Sequence, residues 1–527
     1  MPEKFDLIVI GSGFGGAVTA CRAAQAGARV LVLERGRRWS PSSFPRGVKD
    51  PWLFDNDRPV KKNGWLDLRL FKKMTVIAGA GVGGGSLCYS SVIMPADRDI
   101  FENGWPEEIT FESMQGHYQK ASEMLGAQTI PTGQVTQRNK LLKSAAQKAG
   151  YENRFFDTPL AIAFDEEFNY ELEDPIDKKH TKAFQNRHGR WQGTCVHLGN
   201  CDIGCNVRAK NTLDLNYLAE AELHGAQIRP LHLVRSIAPD SGGYRVSVDR
   251  IESYYAGSSK IWGEKIVLAA DSIGSTELLS RCRDQHRTLP KISQMLGKNW
   301  SANGNFLTPA IYKDRDQVRQ GIGPTISSAL DFMDGTVGGH QFVIEDDGFP
   351  NVLLNALNSY YSARIFSPIA RSFSQHLDRG LNEKNPLAKI MIWLGAGVDS
   401  GDGELSLKRK WYLPFSSPKF ALNFSTEKNA DLIEAIIRIH DRLTQATDGK
   451  LYVPKFWKKL RMMITVHPLG GCRIGQSSSD GVVNHCGEVF EYKNLFVIDG
   501  AMIPKPIGTN PSLTIAALAE RAATINF

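Results

Sequence analysis

Cysteine is scarce, with eight in 527 residues, which is too few for a disulfide framework at this size. Long hydrophobic runs are missing, and no stretch approaches the roughly 20 apolar residues that a membrane span needs. Charge is nearly balanced: 63 Lys and Arg against 56 Asp and Glu leave +7, too mild over this length to imply nucleic-acid binding. A secretory leader is not evident, since Phe5–Ile10 runs into a glycine loop with no cleavage region, so a reducing cytoplasm is the expected compartment. The apolar share of 42% and charged share of 23% exclude a mostly disordered chain. At about 150 residues per domain, the length suits three or four units or two large interleaved ones.

The strongest signal lies in the first forty residues. Phe5–Ile10 is an apolar run of strand length, and it meets Gly11-Ser12-Gly13-Phe14-Gly15-Gly16, a G-x-G-x-x-G pattern. Small residues come next at helical spacing through Ala17, Ala20, Ala23, Ala24 and Ala26 until Gly27 stops the helix; a second strand from Arg29 to Leu33 ends at Glu34. Gly11 permits the tight turn, Gly13 lets backbone approach a pyrophosphate, and Gly16 lets helix pack on strand. Glu34 stands where a carboxylate accepts from ribose hydroxyls, which disfavours NADP and leaves FAD and NAD open.

Gly79, Gly81 and Gly84 repeat the glycine spacing after Thr75–Ala78. The next stretch, Leu87 to Pro95, reads as extended chain with no helix to present its N-terminus, so a second nucleotide site is disfavoured. A bare-backbone segment of this kind suits a flat ring or a pyrophosphate lying against it. The rest of the nucleotide fold comes late: a helix-like Leu215–His224, a run Ala226–Val234, an alternating Tyr244–Val248, and a buried run Lys265–Ala270 turning into a helix capped by Ser275 or Thr276. Strands of one sheet are thus more than 150 residues apart, too far for a loop, and a second domain must be inserted.

In the C-terminal third, His467-Pro468-Leu469-Gly470-Gly471-Cys472 is too irregular for a helix. Asn494–Gly500 is a strand ending at Asp499, and Asn510-Pro511 opens an Ala-rich helix, Ile515–Ala523. Taken singly, His467 reads as structural and Asn510 as a helix cap.

Taken together, Gly11–Gly16 with Glu34, Gly81–Leu87, His467–Cys472 and Val497–Gly500 followed by Asn510-Pro511 resemble the glucose–methanol–choline (GMC) oxidoreductases, in particular the bacterial cholesterol oxidase and steroid dehydrogenase branch. The resemblance covers both ends and the region 209–279, about half the residues. It implies an α/β fold: a discontinuous FAD-binding Rossmann-type domain (1–110, 195–290, 462–527) with an inserted α+β substrate domain (111–194, 291–461). It implies FAD, with Gly11, Gly13 and Gly16 at the pyrophosphate, Glu34 at the adenosine ribose and Val234 beside the adenine. Asp499, with Gly500 next to it, would serve the ribityl or pyrophosphate region, and Gly81, Gly83, Gly84, Gly85 and Ser86 would lie along the flavin. It further implies oxidation of a hydrophobic alcohol by hydride transfer to flavin N5, with His467 as base and Asn510 orienting the substrate oxygen. Oxygen or another electron carrier would reoxidise the flavin. A non-redox relative of hydroxynitrile lyase type, a flavin–NAD reductase and a protein holding flavin structurally are the rival readings.

The chain also departs from that pattern. Tyr89 stands where secreted cholesterol oxidases have an asparagine, and their substrate-facing glutamate has no clear counterpart; Glu345 and Glu383 are loose candidates, neither preferred. Cys195, Cys201 and Cys205 read as packing residues, with no metal assigned, although three thiolates could hold an iron–sulfur cluster, or zinc with His197. Lys455–Arg461 and Ser359–Leu377 mix aromatics or apolar residues with cations; they read as ordinary surface helices, and peripheral membrane contact is the most they would add.

Overall fold

The apolar run at the N-terminus becomes the strand Lys4–Ile10, which lies parallel to Val30–Leu33 on one side and to Ser258–Leu268 on the other, with Val9 opposite both Val32 and Val267. A computed structural model describes residues 3–47, 49–252, 258–314, 317–350, 386–409 and 417–527. Strands covered on both faces need unbroken apolar runs, and Leu7 to Ile10 are at most 4% exposed. Gln227–Arg229 continues the sheet beyond Val30–Leu33, and an antiparallel pair, Gly243–Arg250 and His232–Asp240, continues it beyond Ser258–Leu268. A seventh strand, Leu495–Val497, arrives from the far end of the chain and runs parallel to Ser258–Leu268. The first helix, Phe14–Gln25, packs on the last, Ser512–Asn526, through small side chains. Arg22 clamps Glu520 with two hydrogen bonds of 2.9 and 2.7 Å, and the Tyr217 hydroxyl donates to the same carboxylate at 2.6 Å.

Two local expectations change. The run Ala226–Val234 is two strands, because Pro230 has no N–H to donate and Leu231 turns at φ +61°. The helix expected to start at Ser275 or Thr276 starts at Asp271 and runs to Ser280. Ser275 is not its cap: its hydroxyl accepts from the Ala270 N–H at 3.0 Å and donates to Asp499 at 2.6 Å.

A second sheet is wholly antiparallel, in the order Lys450–Leu451, Phe306–Ile311, Ile390–Gly397, His340–Asp347, Ser328–Val337, Phe155–Asp157. Helices Gln137–Ala149 and Ala430–Ala446 cover one face, where Phe332, Phe342, Ile344 and Trp393 share a core with Leu432, Ile433 and Ile436. Side chains alternate across a strand, so Val343, Glu345 and Asp347 leave by the opposite face from Phe342 and Ile344. Val343 accordingly packs with the nucleotide-sheet core.

A smaller four-stranded sheet joins distant segments. Met463–Thr465 runs parallel to Met74–Gly79, which pairs with Leu66–Leu70, and Leu53–Phe54 completes it. This pairing brings the approach to His467 beside the approach to the second glycine cluster. Among the described residues no helix is long and apolar enough to cross a membrane. The segment Lys455–Leu460 is a short helix whose Trp457 is fully buried against Phe306, so its main aromatic faces the core. Glu383 and the stretch Ser359–Leu377 lie outside the described residues.

Candidate active site

A cleft of about 1900 Å³ is lined by residues of both large sheets. At its nucleotide-sheet end the glycine pattern has a steric cause. A Cβ on Gly11, at φ +98°, would stand 2.3 Å from the Ala269 carbonyl oxygen, and one on Gly16 would stand 2.1 Å from the Gly11 oxygen. Gly13 is different, since nothing lies within 4 Å of where its Cβ would be and it faces the cleft, so a side chain there would fill the channel. No side chain caps the helix that starts at Phe14, which leaves its first N–H groups available to an anion. This donor set fits a dinucleotide pyrophosphate.

Glu34 is 5% exposed and braces this loop. Its Oε2 accepts from the Ser12 N–H at 3.1 Å and hydroxyl at 2.6 Å, and its Oε1 accepts from the Gly36 N–H at 2.8 Å. The second glycine cluster packs directly on the first: a Cβ on Gly84 would sit 2.5 Å from the Gly13 Cα, and Gly83 N–H donates to the Ser12 hydroxyl at 3.1 Å. Gly84–Leu87 is one turn of 3-10 helix, because Gly83 at φ +107° reverses the backbone, and it overlaps the stretch expected to be extended, Leu87–Pro95, only at Leu87. Gly84 and Gly85 face the cleft; Gly81, Gly83 and Ser86 stand behind them, with the Ser86 hydroxyl donating to the Gly83 carbonyl at 2.7 Å. Val234 lines the cleft where its strand begins to bulge. Asp499 and Gly500 also line it, and burial pushes the Asp499 carboxyl up to about 6. Asp271, which the sequence marked only as a turn, lines the cleft as well; burial first and the neighbouring Asp499 second push it up to about 7.

His467 and Asn510 line the same cleft, and one turn, Ala302–Asn305, holds them both. Asn303, fully buried, accepts from the Ile507 and Gly508 N–H groups at 3.0 and 2.9 Å and donates to the Thr509 carbonyl at 2.7 Å, which fixes the approach to Asn510. The Asn305 oxygen accepts from the Val466 N–H at 3.2 Å and the Thr465 hydroxyl at 2.9 Å. Since a backbone N–H can only donate, the other end of that amide is its NH₂, and it meets His467 Nδ1 at 3.0 Å. Nδ1 is therefore an acceptor, and the neutral ring carries its proton on Nε2. Burial lowers the imidazole to about 4 and keeps it neutral.

Beside the Asn510 amide stands Glu345, fully buried. It stands directly opposite Leu394, itself opposite Leu307, and both leucines line the cleft, so Glu345 points to the cleft side of the sheet. Both of its carboxyl oxygens and the Asn510 Oδ1 are buried without a close hydrogen-bond partner. Burial, then Asp346, push the Glu345 carboxyl up to about 8, and the Asn510 amide opposes that rise. Unpaired buried polar atoms of this kind signal a site that awaits a polar ligand group. Sequence reasoning left Glu345 as a loose candidate and missed Asn303, Asn305 and Asp271; a carboxylate inside the apolar run Val343-Ile344-Glu345 was the available signal.

The cysteine segment is pinned by cations. Lys210, 1% exposed, donates to the carbonyls of Leu87, Tyr89 and Cys201 at 2.8, 3.0 and 2.6 Å. Arg46 holds the carbonyls of Ile203 and Gly204. Burial raises Cys195 far above its ordinary value and Cys201 to about 11, so both remain thiols. His197 is no spare metal ligand: Nε2 meets the Gln134 side-chain oxygen at 3.0 Å, and Nδ1 meets the Gly323 carbonyl and the Tyr170 hydroxyl. Among the described residues no group of three or more His, Cys, Asp or Glu is placed to hold a metal ion.

Comparison with known proteins agrees with this geometry. Residues 400–519 match the GMC oxidoreductase family, and residues 9–56 match an NAD(P)-binding Rossmann-like domain. The chain is 30% identical to a cholesterol oxidase of Acinetobacter baumannii, covering 98% of this chain and 93% of that protein. It is 24% identical to a long-chain-alcohol oxidase of Arabidopsis thaliana, covering 98% of this chain and 66% of the plant protein. Its fold superposes on pyridoxine 4-oxidase with a TM-score of 0.64 at 15% identity, over 99% of both chains. The chain belongs to the GMC oxidoreductase family, flavoproteins with FAD as cofactor that oxidise alcohol groups.

Proposed function

We propose that this protein oxidises a hydrophobic alcohol, sterol-like, long-chain or aromatic, to a ketone or aldehyde. The observation that carries the reading is the meeting of His467 and Asn510 with the apolar floor formed by Leu307, Ile326 and Leu394, with Glu345 buried beside the Asn510 amide. FAD supplies the hydride acceptor. Its pyrophosphate would rest on Gly11, Gly13 and Gly16, with Glu34 and Val234 toward the adenosine, Asp499 and Gly500 near the middle, and Gly81, Gly83, Gly84, Gly85 and Ser86 along the flavin. The proposed flavin-binding unit is 1–110, 195–290 and 462–527, and the proposed substrate unit is 111–194 and 291–461.

The hydrogen bonds of the site also support a second division of the chemistry beside that with His467 as base. With Nδ1 accepting from Asn305, Nε2–H donates to the alcohol oxygen and holds it, together with the Asn510 amide. Glu345 takes the hydroxyl proton in its ionised form, so turnover should rise as pH approaches its value of about 8. Oxygen is the favoured electron acceptor, since the similar proteins are named oxidases; another electron carrier is the alternative. The cytoplasm, with at most peripheral membrane contact, is the proposed location. Mixing the protein anaerobically with sterols, fatty alcohols and aryl alcohols should bleach the yellow flavin with at least one class; a flavin that stays yellow with all three would sink the proposal.

A further inference from the structure

Oxidising an alcohol frees one proton at the hydroxyl oxygen, and a cleft filled by an apolar substrate offers little water to receive it. The strand that carries Glu345 offers a route. Its register is unbroken, with Glu345 opposite Leu394, Asp346 opposite Trp393 and Asp347 opposite Ile392. Asp347 therefore leaves by the same face as Glu345, about 6.7 Å further along the strand. Asp347 lines the cleft, and so does Asp202, on the turn just after Cys201. Asp202 accepts from the Ser90 hydroxyl at 3.1 Å and the Thr325 hydroxyl at 3.3 Å, and Asp347 accepts from the Gly348 N–H at 2.9 Å.

The nearby cations do not neutralise these acids by direct contact. The Arg138 guanidinium spends its donors on the carbonyls of Ile322, Pro324, Thr325 and Asp346 and on the Gln320 side chain. Lys210 is taken by three carbonyls. Asp346, on the other face, is held by Ser327 and Ser328. Asp347 and Asp202 thus line the cleft, with Glu345 buried on the same strand face as Asp347, and none of the three has an ion pair among the described residues; buried like charges must share protons. Burial and then its acidic neighbours Asp202 and Glu345 raise Asp347, and burial raises Asp202 to about 6.

We propose that Glu345, Asp347 and Asp202 form a proton relay from the reacting alcohol along one face of the strand His340–Asp347 to the Asn200–Cys205 turn. This rests on the reading of Glu345 as the proton acceptor. The alcohol O–H bond breaks and its proton binds a Glu345 carboxylate oxygen, while the C–H electron pair leaves as hydride, for which the FAD held by the site would be the acceptor. Glu345 then passes a proton to Asp347, Asp347 passes one to Asp202, directly or through one water, and the partly exposed Asp202 releases one to solvent water; one O–H bond breaks and one forms at each transfer, with no further redox change.

Infrared spectroscopy of the holoenzyme in D₂O tests this without requiring any alcohol to react. Below the Glu345 value of about 8, a protonated-carboxyl stretch absent from Glu345→Gln identifies that group. Its hydrogen-to-deuterium shift should be fast in the wild type and in Asp347→Glu, and slower by about 10²-fold in Asp347→Asn and Asp202→Asn, the usual worth of a placed proton carrier. Exchange in both Asn variants as fast as in the wild type overturns the relay, and so does a spectrum that Glu345→Gln leaves unchanged. Failure of every alcohol to bleach the flavin would overturn the proposed function alone.

Discussion

Asn305 and His467 meet at 3.0 Å, amide to Nδ1, and the amide cannot turn round because the Val466 N–H occupies its oxygen. One neutral side chain thereby chooses the tautomer of another. Asn305→Asp removes that choice, since an ionised carboxylate has only acceptors to offer Nδ1. The proton then moves to Nδ1, the imidazole pKa rises, and kcat falls by about 10-fold or more with flavin retained. The pH profile of kcat/KM, compared with wild type, checks this; an unchanged profile refutes the tautomer assignment.

His467→Gln should lower turnover by about 10²-fold or more, because a placed donor or base is worth that much, while flavin absorbance stays at the wild-type ratio. Full turnover with bound flavin would remove His467 from the reaction.

Glu345 makes stability depend on pH. Its carboxyl is raised from 4.5 to about 8, so the folded state holds a proton that the unfolded chain has released. Between those values stability falls as pH rises, and below 4.5 the effect vanishes because both states are protonated. Glu345→Gln should therefore melt higher than wild type near pH 8 and equally at pH 4.5. A parallel offset at both pH values would refute the shift.

Gly84→Ala drives a methyl group to 2.5 Å from the Gly13 Cα, at a residue with φ +51°. Backbone cannot yield there without opening the pyrophosphate turn. The purified variant should carry much less FAD per chain by absorbance, with a lowered melting temperature. Wild-type flavin content would show that the two loops are not one cradle.

How much was legible depended on whether a feature has a local cause. Phe5–Ile10 and the glycines after it could be read because an unbroken apolar run and a forced turn leave marks within a few residues. The relation between His467 and Asn510 was visible only as a family resemblance; the turn that holds both, Ala302–Asn305, lies more than 160 residues before His467, and its asparagines look like ordinary loop residues. Glu345 stood in plain view inside an apolar strand, yet which face it takes depends on a register fixed by the two strands beside it. Helix starts were misplaced where a hydroxyl served a distant partner, as Ser275 does for Asp499.

The parallel pairing of Leu495–Val497 with Ser258–Leu268 has a consequence for biosynthesis. The pocket borrows walls from both extremes of the polypeptide, with Asn510 among the last contributors. A nascent chain therefore cannot finish the cradle, and cofactor capture must wait, until Asn510 has left the ribosome, with early glycine loops held by whatever protects unfinished α/β segments in the meantime.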